Sequence, residues 1–193
     1  MSRKPWVLLA FCVVASVGMT AAAEAAEPNP VITIKVENAS GWSGVNLHRA
    51  QELATGIYEQ AGVMLDWSDN AAPAGRTLTI VLTTMATAPR GIAPESMGVA
   101  PSPGDGSRGT TAYVFMDRVT AFVSAHRVSA EYVLACAMAH EIGHLLLPPN
   151  AHQAIGVMQG NWHAKLFPPY APGVPGFPLA QARLLRARAG SRQ

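Results

Sequence analysis

The chain has 193 residues, which is enough for one domain with a hydrophobic core and too few for two domains of ordinary size. Its formal net charge is only +2, and no block of lysines or arginines alternates with aromatic residues, which excludes the pattern typical of nucleic-acid-binding proteins. Hydrophobic residues make up 49% and charged residues 13%, and because alanines and the N-terminal segment account for part of this imbalance, the remainder is typical of a globular protein.

The first 26 residues have the pattern of a secretory signal peptide. A basic start precedes an apolar run over residues 6–17, and small residues suited to cleavage follow at 21–26. About twelve apolar residues fall short of the roughly 20 that a helix needs to span a bilayer, so we expect cleavage and not a membrane anchor. The sequence therefore predicts a secreted protein, periplasmic or extracellular, whose single domain covers residues 27–193 and has no stable membrane association.

Removal of this segment leaves Cys136 as the remaining cysteine, so no disulfide within the chain is expected. An exported domain without a disulfide must depend on its core or on a bound metal.

The N-terminal half of the domain is predicted to alternate strands with one helix. Apolar residues recur every three or four positions over 45–61, with Ser43 placed to cap this helix and Gly62 to end it. A segment rich in Gly, Pro and Ser, residues 86–109, is the longest irregular stretch of the domain. Runs with β propensity predict strands at 31–36, 63–67, 77–83 and 112–116, with a shorter strand at 97–100.

A second helix is predicted from Ala130 to Leu147. Ser129 can cap it, and Pro148 and Pro149 forbid its continuation. The chain is then rich in Pro and Gly as far as residue 178, after which a short basic helix is predicted over 179–188.

His140, Glu141 and His144 form an HExxH pattern inside this second helix. Residues four apart on a helix lie one turn above each other, so both imidazoles can reach the same ion. The histidines can then hold Zn²⁺ while the Glu141 carboxylate takes a proton from a water that the ion activates. The helix around them is strongly apolar, and these side chains would be costly to bury there without partners. The pattern therefore predicts a catalytic zinc centre.

A catalytic zinc ion usually takes three protein ligands, so a third donor is required. The sequence contains no Asp or Glu after Glu141, which leaves His152 and His163 on that side. Residues 148–150 are expected to break the helix and turn the chain back toward the metal. We favour His152, because a short turn closes with a smaller loss of entropy, and His163 is the alternative.

These residues resemble the zinc motif of the metzincin metallopeptidases. The similar positions are His140, Glu141, His144 and His152, followed by Gly156-Val157-Met158, which is similar to the Met-turn of that family. The resemblance implies that Met158 supports the metal site from below and is not a ligand. The usual family spacing would place a glycine at 147 and the third histidine at 150, whereas this chain has Leu147 and Asn150, so its third histidine comes two residues later.

The order of the predicted elements is similar to the N-terminal half of a metzincin domain. The resemblance implies an α+β fold: a single domain with a small twisted mixed sheet, one backing helix, one active-site helix and an irregular C-terminal part that ends in a short helix. It also implies a zinc-dependent endopeptidase whose peptide or protein substrate lies along the sheet edge near residues 86–111. We expect the protein to be a monomer.

Three alternatives stay open at this stage. Cys136 lies one turn before His140, and a thiolate can bind zinc, although a buried core cysteine is the commoner case. Tyr170 follows the Met158 segment, where some metzincins have a tyrosine that steadies the reacting carbonyl. In the third alternative the protein is a secreted zinc-binding module without activity, whose structural metal is closed off by a fourth ligand from His163 or Cys136.

Overall fold

Five strands and four helices are present among the residues that the structure describes. A computed structural model describes residues 28–41, 43, 46–68, 76–103, 105 and 107–191, and the predicted signal peptide, residues 1–26, lies outside them. In chain order the elements are β1 (Val31–Asn38), α1 (Leu47–Gln60), β2 (Met64–Trp67), β3 (Arg76–Thr83), β4 (Gly98–Val99), β5 (Thr111–Phe115), α2 (Met116–His126), α3 (Ala130–Leu146) and α4 (Leu179–Gly190).

The strands form one mixed sheet in the order β2-β1-β3-β5-β4. Strands β2, β1, β3 and β5 pair in parallel, whereas the two-residue strand β4 pairs antiparallel with β5 at the edge of the sheet. The helices α1 and α3 pack against each other and against strands of the sheet. The prediction of a single α+β domain with a small mixed sheet is therefore confirmed.

The backing helix α1 begins two residues later than its periodicity suggests. Asn46 is its N-cap, and the side-chain oxygen of Asn46 accepts a hydrogen bond of 3.0 Å from the backbone N–H of Arg49. The prediction that Ser43 caps this helix is wrong, because Asn is an equally good cap and lies directly before the first helical turn. The predicted end is confirmed, since the helix stops at Gln60 and Gly62 follows with a φ of +73°.

The helix α3 is the centre of the fold. Thirteen of its 17 residues are buried, so its apolar side chains contact other elements on nearly every side. The buried hydroxyl of Tyr58 in α1 donates a hydrogen bond of 3.0 Å to the carbonyl of Ala139, directly before His140. This bond and the apolar packing fix the position of the HExxH segment. Among the described helices, none is long and apolar enough to cross a membrane.

The helix α2 was not predicted. It follows β5 without a loop, and its N-cap Phe115 makes no side-chain capping hydrogen bond. It ends at Arg127 in the left-handed conformation, where a glycine is the usual residue. The segment has neither a capping residue at its start nor a glycine at its end, and its boundary signals are limited to Asp117 in the first turn and His126 in the last turn.

Candidate metal centre

Three histidine side chains converge at the C-terminal half of α3. The Nε2 atoms of His140 and His144 lie 3.0 Å apart, and the Nε2 atom of His152 lies 3.1 Å from His144 and 3.3 Å from His140. Among the described His, Cys, Asp and Glu residues, the group that comes together here consists of these three and does not include His163. The role of His152 as a metal ligand stays a prediction. The arrangement is suited to holding a metal ion.

The distances between the ring nitrogens fit a tetrahedral ion. Zinc binds imidazole nitrogen at about 2.0 to 2.1 Å, which places the nitrogens of a tetrahedral site about 3.3 to 3.4 Å from one another. The observed 3.0 to 3.3 Å is within a few tenths of an ångström of this spacing. The residues therefore fit a divalent cation that accepts nitrogen donors.

The protonation states also favour a metal. The pKa of His140 is lowered to about 4, mainly by burial and also by the charge of His152, while a hydrogen bond to Val157 acts in the opposite direction. Burial, followed by the charges of the two other histidines, lowers the pKa of His144 to about 4. Both imidazoles are therefore neutral at pH 7, which is the form that binds metal ions.

One backbone carbonyl sets the orientation of His140. The Nδ1 atom of His140 lies 2.9 Å from the carbonyl oxygen of Val157. Because a carbonyl only accepts, Nδ1 must carry the hydrogen, and Nε2 presents its lone pair to the other two histidines. The residue next to Met158 thus fixes the tautomer that a ligand requires.

Glu141 lies beside the histidine group with one oxygen atom unused. Its side chain is buried, and Oε2 has no hydrogen-bond partner within the described part of the chain. Burial raises the pKa of the Glu141 carboxyl to about 8, whereas a cation held by the histidines would favour the charged carboxylate and act in the opposite direction. A buried carboxyl without a partner among the described residues, next to three imidazoles, marks this region as a candidate functional site.

Two glycines allow close approaches at the site. A Cβ atom on Gly98 of β4 would lie 2.6 Å from Oε1 of Glu141, so a larger residue in this edge strand would displace the carboxyl. A Cβ atom on Gly143 would lie 2.6 Å from Sδ of Met158, and Met158 itself is fully buried. Met158 therefore packs directly against the helix turn between the two histidines of α3, which is the position expected of a structural support.

The chain returns from α3 to the metal site through a short turn that is held at both ends. Asn150 adopts the left-handed conformation with a φ of 61°, which asparagine tolerates better than most residues. The carbonyl of Ala151 accepts a hydrogen bond of 2.6 Å from the buried amide of Gln181 in α4. Beyond His152, the backbone N–H of Gln153 donates to the carbonyl of Met158 at 2.9 Å. The position of His152 is therefore determined by backbone contacts on either side.

The C-terminal end of α3 is capped by the side chain of Arg108. Its Nη1 atom donates to the carbonyls of Leu146 and Leu147, each at 2.8 Å, where α3 ends. The last carbonyls of a helix have no partner within the helix, and a cation favours this negative end. Arg108 therefore fixes the point at which the chain leaves α3 toward His152.

Replacing Arg108 by methionine is expected to lower the free energy of unfolding by about 1 to 2 kcal/mol, because the carbonyls of Leu146 and Leu147 lose a charged donor. Urea denaturation of the chelator-treated protein measures this change without a contribution from the metal. Arg183→Met, at an exposed position of α4, is the matched control and is expected to unfold as the wild type does. Equal losses in the two variants would contradict the capping role of Arg108.

The remaining candidates from the sequence do not join the histidine group. Cys136 is a buried free thiol whose pKa is raised by burial, and neither Cys136 nor His163 belongs to the group. Tyr170 is 58% exposed and does not line the cavity above the histidines.

A cleft of about 520 Å³ opens above the histidines and Glu141. Residues 95–100, including β4, form one wall, and residues 159–162 form the other. Trp162 stands edge to face with His140, with ring centroids 5.6 Å apart, and packs in the same way on Phe167. The group therefore lies at the floor of a cleft wide enough for a ligand.

Several residues that build the site were missed by sequence reasoning. Arg108 carries a weak signal, because it is the one basic residue between 91 and 117, inside the segment rich in Gly and Pro. Gln181, Gly98 and Trp162 carry none, because their roles arise from tertiary contacts.

Comparison with protein families and with curated proteins finds no match to this chain.

Proposed function

We propose that the protein is a zinc-dependent peptidase in which His140, His144 and His152 bind Zn²⁺ and Glu141 is the general base. The observation that carries the proposal is the convergence of three Nε2 atoms within 3.3 Å beside the unpartnered Oε2 of Glu141 at the floor of a cleft. Three imidazole nitrogen donors suit zinc among the common metals of proteins.

The proposed mechanism assigns two proton transfers to Glu141. When bound, Zn²⁺ supplies Lewis acidity, which brings the pKa of a water to about 7 and polarises a carbonyl. Glu141 takes one proton from the water while the water oxygen attacks the carbonyl carbon of the substrate. Glu141 then gives that proton to the amide nitrogen as the C–N bond breaks. Gly98 leaves room for the carboxyl to face the cleft, and the carbonyl of Val157 keeps His140 in its ligand form.

The cleft suits an extended peptide. Strand β4 ends the sheet and lines the cleft, so one of its edges is not paired with another strand of the described sheet. An extended chain can add to such an edge through backbone hydrogen bonds, which are largely independent of sequence. We therefore propose peptides or unfolded proteins as substrates, met outside the cytoplasm if the segment 1–26 acts as a signal peptide.

The rival proposal is a structural zinc site without activity. A closed structural site takes four protein ligands, whereas the described His, Cys, Asp and Glu residues supply three. His163 and Cys136, the donors from which a closed site would be built, lie outside the group. This observation favours a site with one open position.

The test is hydrolysis of an unfolded protein by the purified mature chain, together with its metal content. We expect about one zinc per chain, loss of hydrolysis with 1,10-phenanthroline and recovery with added Zn²⁺. The isomer 1,7-phenanthroline, which does not chelate in a bidentate manner, is the control and is expected to leave hydrolysis unchanged. Bound zinc without hydrolysis would support the structural site, and hydrolysis that resists chelation would refute a metal-dependent mechanism.

A further inference from the structure

Three arginines come together at one end of the sheet, away from the histidine group in sequence. Arg76 is the first residue of β3, and Arg108 lies three residues before β5. The two strands pair in parallel with Thr79 opposite Thr111, so Arg76 and Arg108 stand at the same level of neighbouring chain segments. Arg76 and Arg108 therefore both lie at the end of the sheet where strands β3 and β5 begin.

Arg188 adds a third positive charge at this end of the sheet. It lies in the last turn of α4, a helix that packs against α3 and β1. Burial lowers the pKa of Arg76, and the charge of Arg188 lowers it further. The pKa of Arg108 is lowered by burial and then by the charges of Arg188 and Arg76. The three groups are close enough to repel one another.

No carboxylate among the described residues compensates these charges. The ion pairs of the described chain join Lys35 to Glu37, and Glu52 to His48 and Arg49, and none includes the three arginines. The Nε atom of Arg76 is buried, and it has no hydrogen-bond partner among the described residues. The hydrogen bonds by which Arg108 caps α3 use only its Nη1 atom, so this cap does not occupy its Nε and Nη2 groups. A buried charged donor without a partner is costly, which favours an external acceptor.

We propose that Arg76, Arg108 and Arg188 form a binding site for a tetrahedral oxyanion of the phosphate or sulfate type. Guanidinium groups present pairs of N–H donors that match two oxygens of such an anion. A dianion would reduce the repulsion among the three positive charges and supply an acceptor to the Nε atom of Arg76. This proposal is independent of the proposed peptidase function, because it uses none of the histidine group or Glu141.

The test is calorimetric titration of the metal-loaded protein with inorganic phosphate, and separately with sulfate, in chloride buffers of matched ionic strength. We expect saturable binding that Arg188→Gln weakens by about fivefold or more, since one charged pair of donors is lost. Arg183→Gln, on the same helix at an exposed position, is the matched control and is expected to bind as the wild type does. Thermal unfolding in chloride checks that both variants are folded, and Arg188 is itself exposed, so its replacement leaves the core intact.

Equal phosphate binding by the wild type, Arg188→Gln and Arg183→Gln would overturn the proposal, because the anion would then bind elsewhere, for example at the metal. An absence of measurable binding by the wild type would also overturn it. Binding of phosphate but not sulfate supports a phosphate site, whereas equal binding of both supports a general oxyanion site. None of these outcomes changes the expectation for peptide hydrolysis, so the two proposals fail separately.

Discussion

Glu141→Gln is expected to lower kcat for an unfolded protein substrate by about a thousandfold while the zinc content stays at the wild-type level. Glutamine has nearly the same shape as glutamate but cannot accept a proton from the attacking water, and general base catalysis contributes about 10²- to 10⁴-fold. The three imidazoles are unchanged, so the ion remains bound. Steady-state hydrolysis and metal analysis of the same preparation measure the two quantities together.

The matched control for this variant is Glu95→Gln. Glu95 is the other carboxylate that lines the cleft within the described chain, but it is exposed and outside the histidine group. We expect its replacement to change kcat by less than about fivefold, since an exposed charge contributes little. Hydrolysis that Glu141→Gln leaves unchanged would remove Glu141 from the mechanism, even if the zinc site itself proved to be real.

The histidine group could be predicted from the sequence because its geometry is mostly local. Two histidines four apart on a helix must face the same side, and this holds wherever the helix is placed in the fold. His152 followed from the absence of carboxylates after Glu141 and from the helix-breaking residues 148–150. The structure brings these three histidines together.

The supports of the site could not be predicted in the same way, because they depend on distant parts of the chain. Arg108 reaches the end of α3 from a loop 38 residues earlier, and Gln181 reaches Ala151 from 30 residues later. The contact of Gly98 with Glu141 likewise depends on how β4 pairs with β5. None of these contacts has a periodicity or a local motif.

The errors in the predicted secondary structure arise where local sequence signals are weak and tertiary packing decides. Helix α2 lies between β5 and α3 with no side-chain cap, and its helical signals, apolar residues three or four apart and Asp117 and His126 at its ends, are weak in a segment of 11 residues. Serine is a good N-cap, which favours Ser43 on sequence alone, but a helix cap is decided by which residue lies directly before the first turn, here Asn46. Propensity indicates that a cap is near, and packing selects the residue.

His152→Ala is expected to weaken zinc binding by more than a hundredfold and to abolish hydrolysis. Loss of a residue that merely orients a ligand costs 10- to 100-fold in affinity, so loss of a ligand itself should cost more. The backbone around position 152 is held by Gln181 and by the N–H of Gln153, so the turn should keep its shape without the imidazole. Competition with a chelator of known affinity measures the change.

His163→Ala is the control, because it removes an exposed imidazole from the neighbouring segment and leaves the histidine group intact. His152 is exposed as well, so neither substitution opens a cavity in the core, and a difference between the two variants reports on the metal rather than on folding. If His163→Ala lost the metal and His152→Ala kept it, the third ligand would come from the other segment. If both variants kept it, two imidazoles of α3 would hold the ion without a third histidine, and a catalytic site with three protein ligands would be excluded.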